Sequence, residues 1–205
     1  RADGQVDGVL AKRSPGSALK PFAYALAFER GSRPSDVLYD VPLRYTTRAG
    51  SWVPENYSRT FRGPLRLREA LATSANVPAV RLVDEIGAAT LHSRLLAIGF
   101  DLPEPTAHYG LGLALGDAEV TLEALTAAYA GLARGGLWRP LRLTADDPVV
   151  RDVRFVDAGV AGVVTDVLSD PVARAATFGR FGALDRPYPV AAKTGPCSLR
   201  SVGDT

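Results

Sequence analysis

No methionine occurs anywhere in the chain, and cysteine occurs once, at Cys197. A single cysteine excludes an internal disulfide and says nothing of the redox compartment. Histidine is nearly as scarce. His92 and His108 stand apart without carboxylates at ligand spacing, so no metal site is suggested. No apolar run is long enough to span a bilayer, and no signal peptide opens the chain. With Arg1 first and no methionine, the chain is expected to be an internal segment whose targeting or anchoring element lies upstream. The formal net charge is only +2, and no basic run is interleaved with aromatics. Nucleic-acid binding is therefore not expected.

The most informative scarcity is that of lysine. Of 24 basic residues only Lys12, Lys20 and Lys193 are lysine; the rest are arginine. A chain so committed to arginine retains lysine where arginine cannot serve. Arginine stays protonated, whereas a desolvated lysine can give up its proton and act as a base. Two of the three lie beside hydroxyls, in Ser17-Ala18-Leu19-Lys20 and Lys193-Thr194-Gly195. Serine chemistry run by lysines is the expectation.

What is present is otherwise ordinary for a globular chain of 205 residues, with 46% hydrophobic and 22% charged side chains. After a polar, glycine-rich start, a helix is predicted from about Ser17 to Arg30, with Gly31 as its stop. Residues 32–65 are rich in Pro, Tyr and Arg and read as an extended excursion with short strands. Helices follow at about Leu65–Thr73, from Pro78 to near Gly87, and at Ala88–Ile98. Leu122, Leu125, Tyr129 and Leu132 mark another, ended by Gly135-Gly136. Val160, Val163, Val164, Val167 and Leu168 mark the last, closed near Asp170-Pro171. Tyr188–Lys193 is apolar and β-compatible, so it is predicted as a strand leading into Thr194-Gly195.

Three short motifs carry chemistry. Positions i and i+3 share a helix face, so Lys20 is expected to reach the Ser17 hydroxyl and activate it. A helix N-terminus there favours a developing alkoxide. Ser74 and Asn76, at a break between helices, suit a proton relay and an amide-binding group. Lys193 and Thr194 suit a substrate carboxylate, and Gly195 lets a ligand approach the backbone. Taken singly, each motif reads better as a helix cap, a solvated lysine or an ordinary strand end than as a site. Together, and in this order, they are the set found in penicillin-binding proteins and class A β-lactamases.

Longer segments extend the likeness. Arg13-Ser14-Pro15-Gly16-Ser17-Ala18-Leu19-Lys20-Pro21-Phe22 resembles the active-serine segment of bifunctional (class A) penicillin-binding proteins, most closely their 1C type. Pro54-Glu55-Asn56-Tyr57, the run Ala70 to Val80, and Ala114-Leu115-Gly116 through Glu119-Val120-Thr121 to Gly135-Gly136 match as well. The resemblance implies an α+β, β-lactamase/transpeptidase-like fold: a five-stranded antiparallel sheet flanked by helices. Here the helical part and the Lys-Thr-Gly strand are expected, with the sheet incomplete. It implies Ser17 as acylated nucleophile, Lys20 as base and Ser74 as proton shuttle. Asn76, Lys193, Thr194 and Gly195 would bind substrate. The implied reaction is D,D-transpeptidation of D-Ala-D-Ala stem peptides of peptidoglycan, with β-lactams as inhibitors and no cofactor or metal. The implied parent has an upstream glycosyltransferase domain and a membrane anchor and works on the extracytoplasmic (periplasmic) face of the bacterial cytoplasmic membrane.

The alternatives are a degenerate, non-catalytic relative, or a serine β-lactamase or D,D-carboxypeptidase. No Glu-x-x-x-Asn-type segment between Ser74 and Lys193 supplies the water-activating base of a β-lactamase. Residues 1–195 are expected to form a partial transpeptidase domain, poorly stable alone, and 196–205 an atypical tail. In the family the residue after Lys-Thr-Gly donates a backbone N–H to the oxyanion hole. Pro196 has none, so slow acylation is expected.

Overall fold

The computed structural model describes residues 6–47, 50–179, 184 and 186–195. Its centre is α1 (Lys20–Glu29), entered through a 3-10 turn at Gly16–Leu19. Every residue of α1 from Lys20 to Phe28 is buried. A helix apolar on all sides belongs inside a core rather than on its surface, and α1 is packed by helices on several faces. Pro21 lies in its first turn, where a missing N–H costs least. Phe22 is boxed in by the rings of Phe100, Tyr129 and Phe155 at centroid distances of 6.0, 5.6 and 6.1 Å. Truncating so buried a ring to alanine typically costs about 3–5 kcal/mol.

The excursion after α1 forms short hairpins. β1 (Val37–Asp40) pairs antiparallel with β4 (Gly63–Arg66), and β2 (Tyr45–Thr47) pairs with β3 (Gly50–Trp52). Helices α2 (Leu67–Ala72), α3 (Asn76–Ile86) and α4 (Ala88–Ala97) follow closely, with Gly87 ending α3 and opening α4. Next come the single turn α5 (Thr106–Tyr109) and a 3-10 segment at Gly110–Leu115 that packs on α3, α4 and the Gly16–Leu19 turn. α6 (Leu122–Ala133) leads into β5 (Leu137–Trp138), which pairs with β6 (Val153–Arg154). α7 (Ala158–Ser169) packs on α1, α2 and α6, and α8 (Pro171–Phe178) packs on α2.

Among the described residues the strands form three separate two-stranded sheets. The strand expected at Tyr188–Lys193 is not there. That segment is irregular and is tied to α7 by one backbone bond, from the Ala192 amide to the Leu168 carbonyl at 3.1 Å. A strand needs a ladder of backbone bonds to a neighbour, and no described segment runs beside this one to supply it. α8 also differs from expectation. Asp170-Pro171 closes α7, but Pro171 starts a new helix whose first amides, Val172 and Ala173, are capped by the Asp170 carboxylate at 2.8 and 3.1 Å. Among the described residues no helix is long and apolar enough to cross a membrane.

Candidate active site

The turn that carries Ser17 is held from behind. Arg13 and Val120 exchange both backbone bonds at 2.9 Å, and the Ser14 hydroxyl donates to the Gly116 carbonyl at 2.9 Å. Gly116 has a left-handed φ of 85°, and a Cβ there would lie 2.4 Å from the Gly16 backbone. Two glycines thus let the 112–120 segment lie directly against the serine turn. The Tyr129 hydroxyl donates to the Ala18 carbonyl at 2.9 Å. Ser17 itself is half-buried, and its hydroxyl has no hydrogen-bond partner among the described residues.

Lys20 is 0% exposed. Its amine donates to the Ser74 carbonyl and Asn76 Oδ1, both at 2.7 Å, to the Ala75 carbonyl at 3.2 Å, and more weakly to Ser74 Oγ at 3.4 Å. The expected bond from Lys20 to Ser17 is therefore not formed; the helix break at Ser74–Asn76 offers the amine more and better oxygens. Burial, and then the charge of Lys193, hold the Lys20 amine well below the ordinary lysine range.

Ser74 lies where the two lysines meet. Its Oγ accepts from Lys193 Nζ at 2.7 Å as well as from Lys20. Its backbone is unusual, with φ at 61° in the left-handed region. The cause is the end of α2. The Ser74 amide bonds the Leu71 carbonyl at 3.1 Å, and the Ala75 amide bonds the Ala70 carbonyl at 3.0 Å. That pair of bonds is a Schellman motif, and its left-handed position is ordinarily glycine. A serine there accepts strain in order to place a hydroxyl.

Asn76 bonds on both edges of its side chain. Its Nδ2 donates to the Glu55 carbonyl at 2.8 Å, so its Oδ1 faces Lys20. Neither Ser74 nor Asn76 caps a helix with its side chain, the plain alternative for that motif. The N-cap of α3 is Ala75, which has no capping side chain.

Lys193 also donates to the Thr194 carbonyl at 3.0 Å, and burial pulls its amine down to about 7. Gly195 passes the serine turn so closely that a Cβ would meet the Pro15 carbonyl at 2.7 Å and Ala18 Cβ at 3.3 Å. All seven residues singled out in the sequence thus lie around one region. Ser17 and Gly195 flank one side of it; Lys20, Ser74, Asn76 and Lys193 share hydrogen bonds across it. Pro196 and the tail lie outside the described residues.

The two histidines are elsewhere. His92 is buried, its Nδ1 3.1 Å from Thr106 Oγ1, and both histidine rings lie on Tyr109 at 5.4 and 5.2 Å. Tyr109 brings together two residues that look distant in the chain. Asn56 and the buried Asp40, at the back of the site, were not singled out for any role.

The sequence pattern of the penicillin binding protein transpeptidase domain matches residues 7–198. The chain belongs to that family. It is 38% identical over 194 residues to penicillin-binding protein 1C of Escherichia coli (strain K12), which covers 94% of this chain and 24% of that protein. Penicillin-binding protein 1A of Pseudomonas aeruginosa is 35% identical over 130 residues, 62% of this chain and 16% of that one. The chain therefore spans about a quarter or less of the curated relatives it matches. The crystal structure of penicillin-binding protein 1A from Haemophilus influenzae superposes with a TM-score of 0.67 over 81% of this chain and 31% of that one, at 23% identity. That likeness establishes the fold as β-lactamase/transpeptidase-like, represented here by its helices and small, incomplete sheets.

Proposed function

We propose that this chain is the transpeptidase region of a longer penicillin-binding protein and cross-links D-Ala-D-Ala stem peptides of peptidoglycan through a serine acyl-enzyme. Residues 1–195 would form this region and 196–205 a separate tail. The parent would add a glycosyltransferase domain and a membrane anchor and act on the extracytoplasmic face of the membrane. The observation that carries the reading is the position of Ser74 Oγ, which accepts from both the buried Lys20 and the half-buried Lys193, with Lys20 three residues on from Ser17, whose hydroxyl has no partner among the described residues.

In this reading Ser17 Oγ attacks the carbonyl carbon of the penultimate D-alanine and gives its proton to Lys20. The proton passes by way of Ser74 to the departing amine, the C–N bond breaks, and terminal D-alanine leaves. Asn76 holds the peptide, and Lys193 with Thr194 holds its terminal carboxylate beside Gly195. An amine from a neighbouring strand then attacks the ester and releases Ser17. The two lysines need opposite protonation states, neutral at Lys20 and charged at Lys193. A bound carboxylate favours the charged form of Lys193 and raises it from about 7. Acylation should therefore rise with pH as Lys20 loses its proton and fall as Lys193 loses its own.

A second reading, a relative that binds without turnover, is favoured by Pro196, which has no N–H to donate to an oxyanion. One experiment addresses both. The chain is incubated with a fluorescent penicillin across pH and the adduct is located by mass spectrometry. Ser17 should carry it, and Ser17→Ala should not label. A Pro196→Thr variant should label roughly 10²-fold faster or more, the usual effect of one oxyanion donor. A folded chain that labels at no pH, with or without Pro196→Thr, would sink the transpeptidase reading.

A further inference from the structure

α3 begins without a cap of its own, yet its first turn is buried. The missing acceptor comes from 20 residues upstream. Asn56 Oδ1 accepts the Asn76 amide at 2.9 Å and the Val77 amide at 3.3 Å. The other edge of Asn56 is also fully used, since Nδ2 donates to Asp40 Oδ1 at 2.7 Å and to the Thr60 carbonyl at 2.9 Å. Asp40 is 0% exposed, at the end of β1, and its Oδ2 accepts the Arg62 amide at 3.0 Å. A carboxylate offers only acceptors, so it selects the NH₂ edge of Asn56 and turns the carbonyl edge toward α3. Neighbouring Glu55 uses its carbonyl to hold the Asn76 side chain, whose Oδ1 in turn holds Lys20.

The geometry points to Asp40 and Asn56 as a positioning pair that caps α3 in trans and thereby aims Asn76 and Lys20 at the reaction centre. This rests on the transpeptidase reading, but the pair acts through residues other than itself and touches no substrate. Its contribution is orientation. Asp40 sets the amide edge of Asn56, Asn56 sets the first turn of α3, and that turn sets the oxygens around the Lys20 amine. A misplacement of about 1 Å at such a distance costs on the order of 10²-fold in rate.

The exchange of the two side chains is the test. Asn56→Asp sets two carboxylates against each other. Asp40→Asn with Asn56→Asp restores a donor facing an acceptor across the pair and leaves a carboxylate oxygen to cap α3, while the Thr60 carbonyl loses the donor it had from Asn56. The readouts are the titration of lysines labelled at Cε, followed by NMR in a chain with only three, and the rate of Ser17 labelling by penicillin. A thermal melt of each variant reports folding; if Asn56→Asp does not fold, Asn56→Gln, which moves the amide by one methylene, takes its place. We expect the single variant to shift the Lys20 titration and to slow labelling by roughly tenfold or more, and the exchange to bring both part of the way back, since the bond to the Thr60 carbonyl stays lost. A single variant that leaves both unchanged, or a folded exchange variant that restores neither, overturns the pairing. If neither the unaltered chain nor its Pro196→Thr variant labels but the Lys20 titration responds as described, the positioning pair stands and the transpeptidase reading fails.

Discussion

At the residue scale the site turns on one serine in a conformation that suits glycine. Ser74 occupies the left-handed position of the α2 cap, with φ at 61°. A side chain costs free energy there, and the compensation is a hydroxyl bonded by both lysines. Two substitutions separate these effects. Ser74→Gly and Ser74→Ala both remove the hydroxyl and should slow acylation alike. Only alanine keeps the strain, so denaturant unfolding should find Ser74→Gly more stable than Ser74→Ala by about 1 kcal/mol. Equal stabilities would mean that the backbone relaxes and that the position is not strained. The residue types at this site were legible because lysine is so rare here. The strain was not, since φ at Ser74 follows from two backbone bonds at the end of α2 rather than from the Ser-x-Asn pattern.

At the scale of elements, periodicity and punctuation located α1, α2, α3, α4, α6 and α7 to within a few residues. α8 escapes them, because Asp170-Pro171 at the end of an apolar helical run reads first as a stop. The pair is equally a start: Pro suits the first helical position and Asp the cap. Asp170 also accepts from Arg68 Nε at 2.8 Å, tying α8 to α2. Burial alone would raise this carboxyl, but the Arg68 bond and the two helix amides outweigh it and hold the group below the usual range. Asp170→Ala should therefore destabilise the fold by about 1–2 kcal/mol near neutral pH. The difference should vanish in acid. The carboxylate's folded-state value is depressed, so its contribution is present above the unfolded value and lost as pH falls through the folded one. Urea melts of both proteins across pH would check this, and a gap persisting in acid would rule out the charge as its source. The strand misread at Tyr188–Lys193 is the opposite case. Its composition is β-compatible, but pairing is a property of two segments.

At the scale of the whole molecule, several buried or half-buried ionisable groups give stability a definite pH dependence. Lys20 and Lys193 lie below the ordinary lysine value of 10.5, Lys193 at about 7. Between about 7 and 10.5 the unfolded chain binds more protons at Lys193 than the folded one, so stability should rise with pH across that window. The phenols of the buried Tyr24 and the half-buried Tyr129 are desolvated and lie above the ordinary value of 10.0. Above that value the unfolded phenols ionise first and stability should fall. Thermal midpoints should thus peak near pH 10, unlike the usual optimum between about 5 and 8. A monotonic decline from pH 7 would mean that the two lysines are hydrated rather than buried.

By itself the sequence determined the family and most of the helices. Local pattern encodes helices, because their hydrogen bonds close within four residues. Residue type limits chemistry, because only certain side chains carry a movable proton. Tertiary structure alone decided that Lys20 faces Ser74 and Asn76 rather than Ser17. It also decided that Lys193 lies near 7 and that Asn56 caps a helix 20 residues away. Desolvation, the meeting of two like charges and a cap supplied in trans depend on which distant segments are brought together, and no short stretch of chain records that.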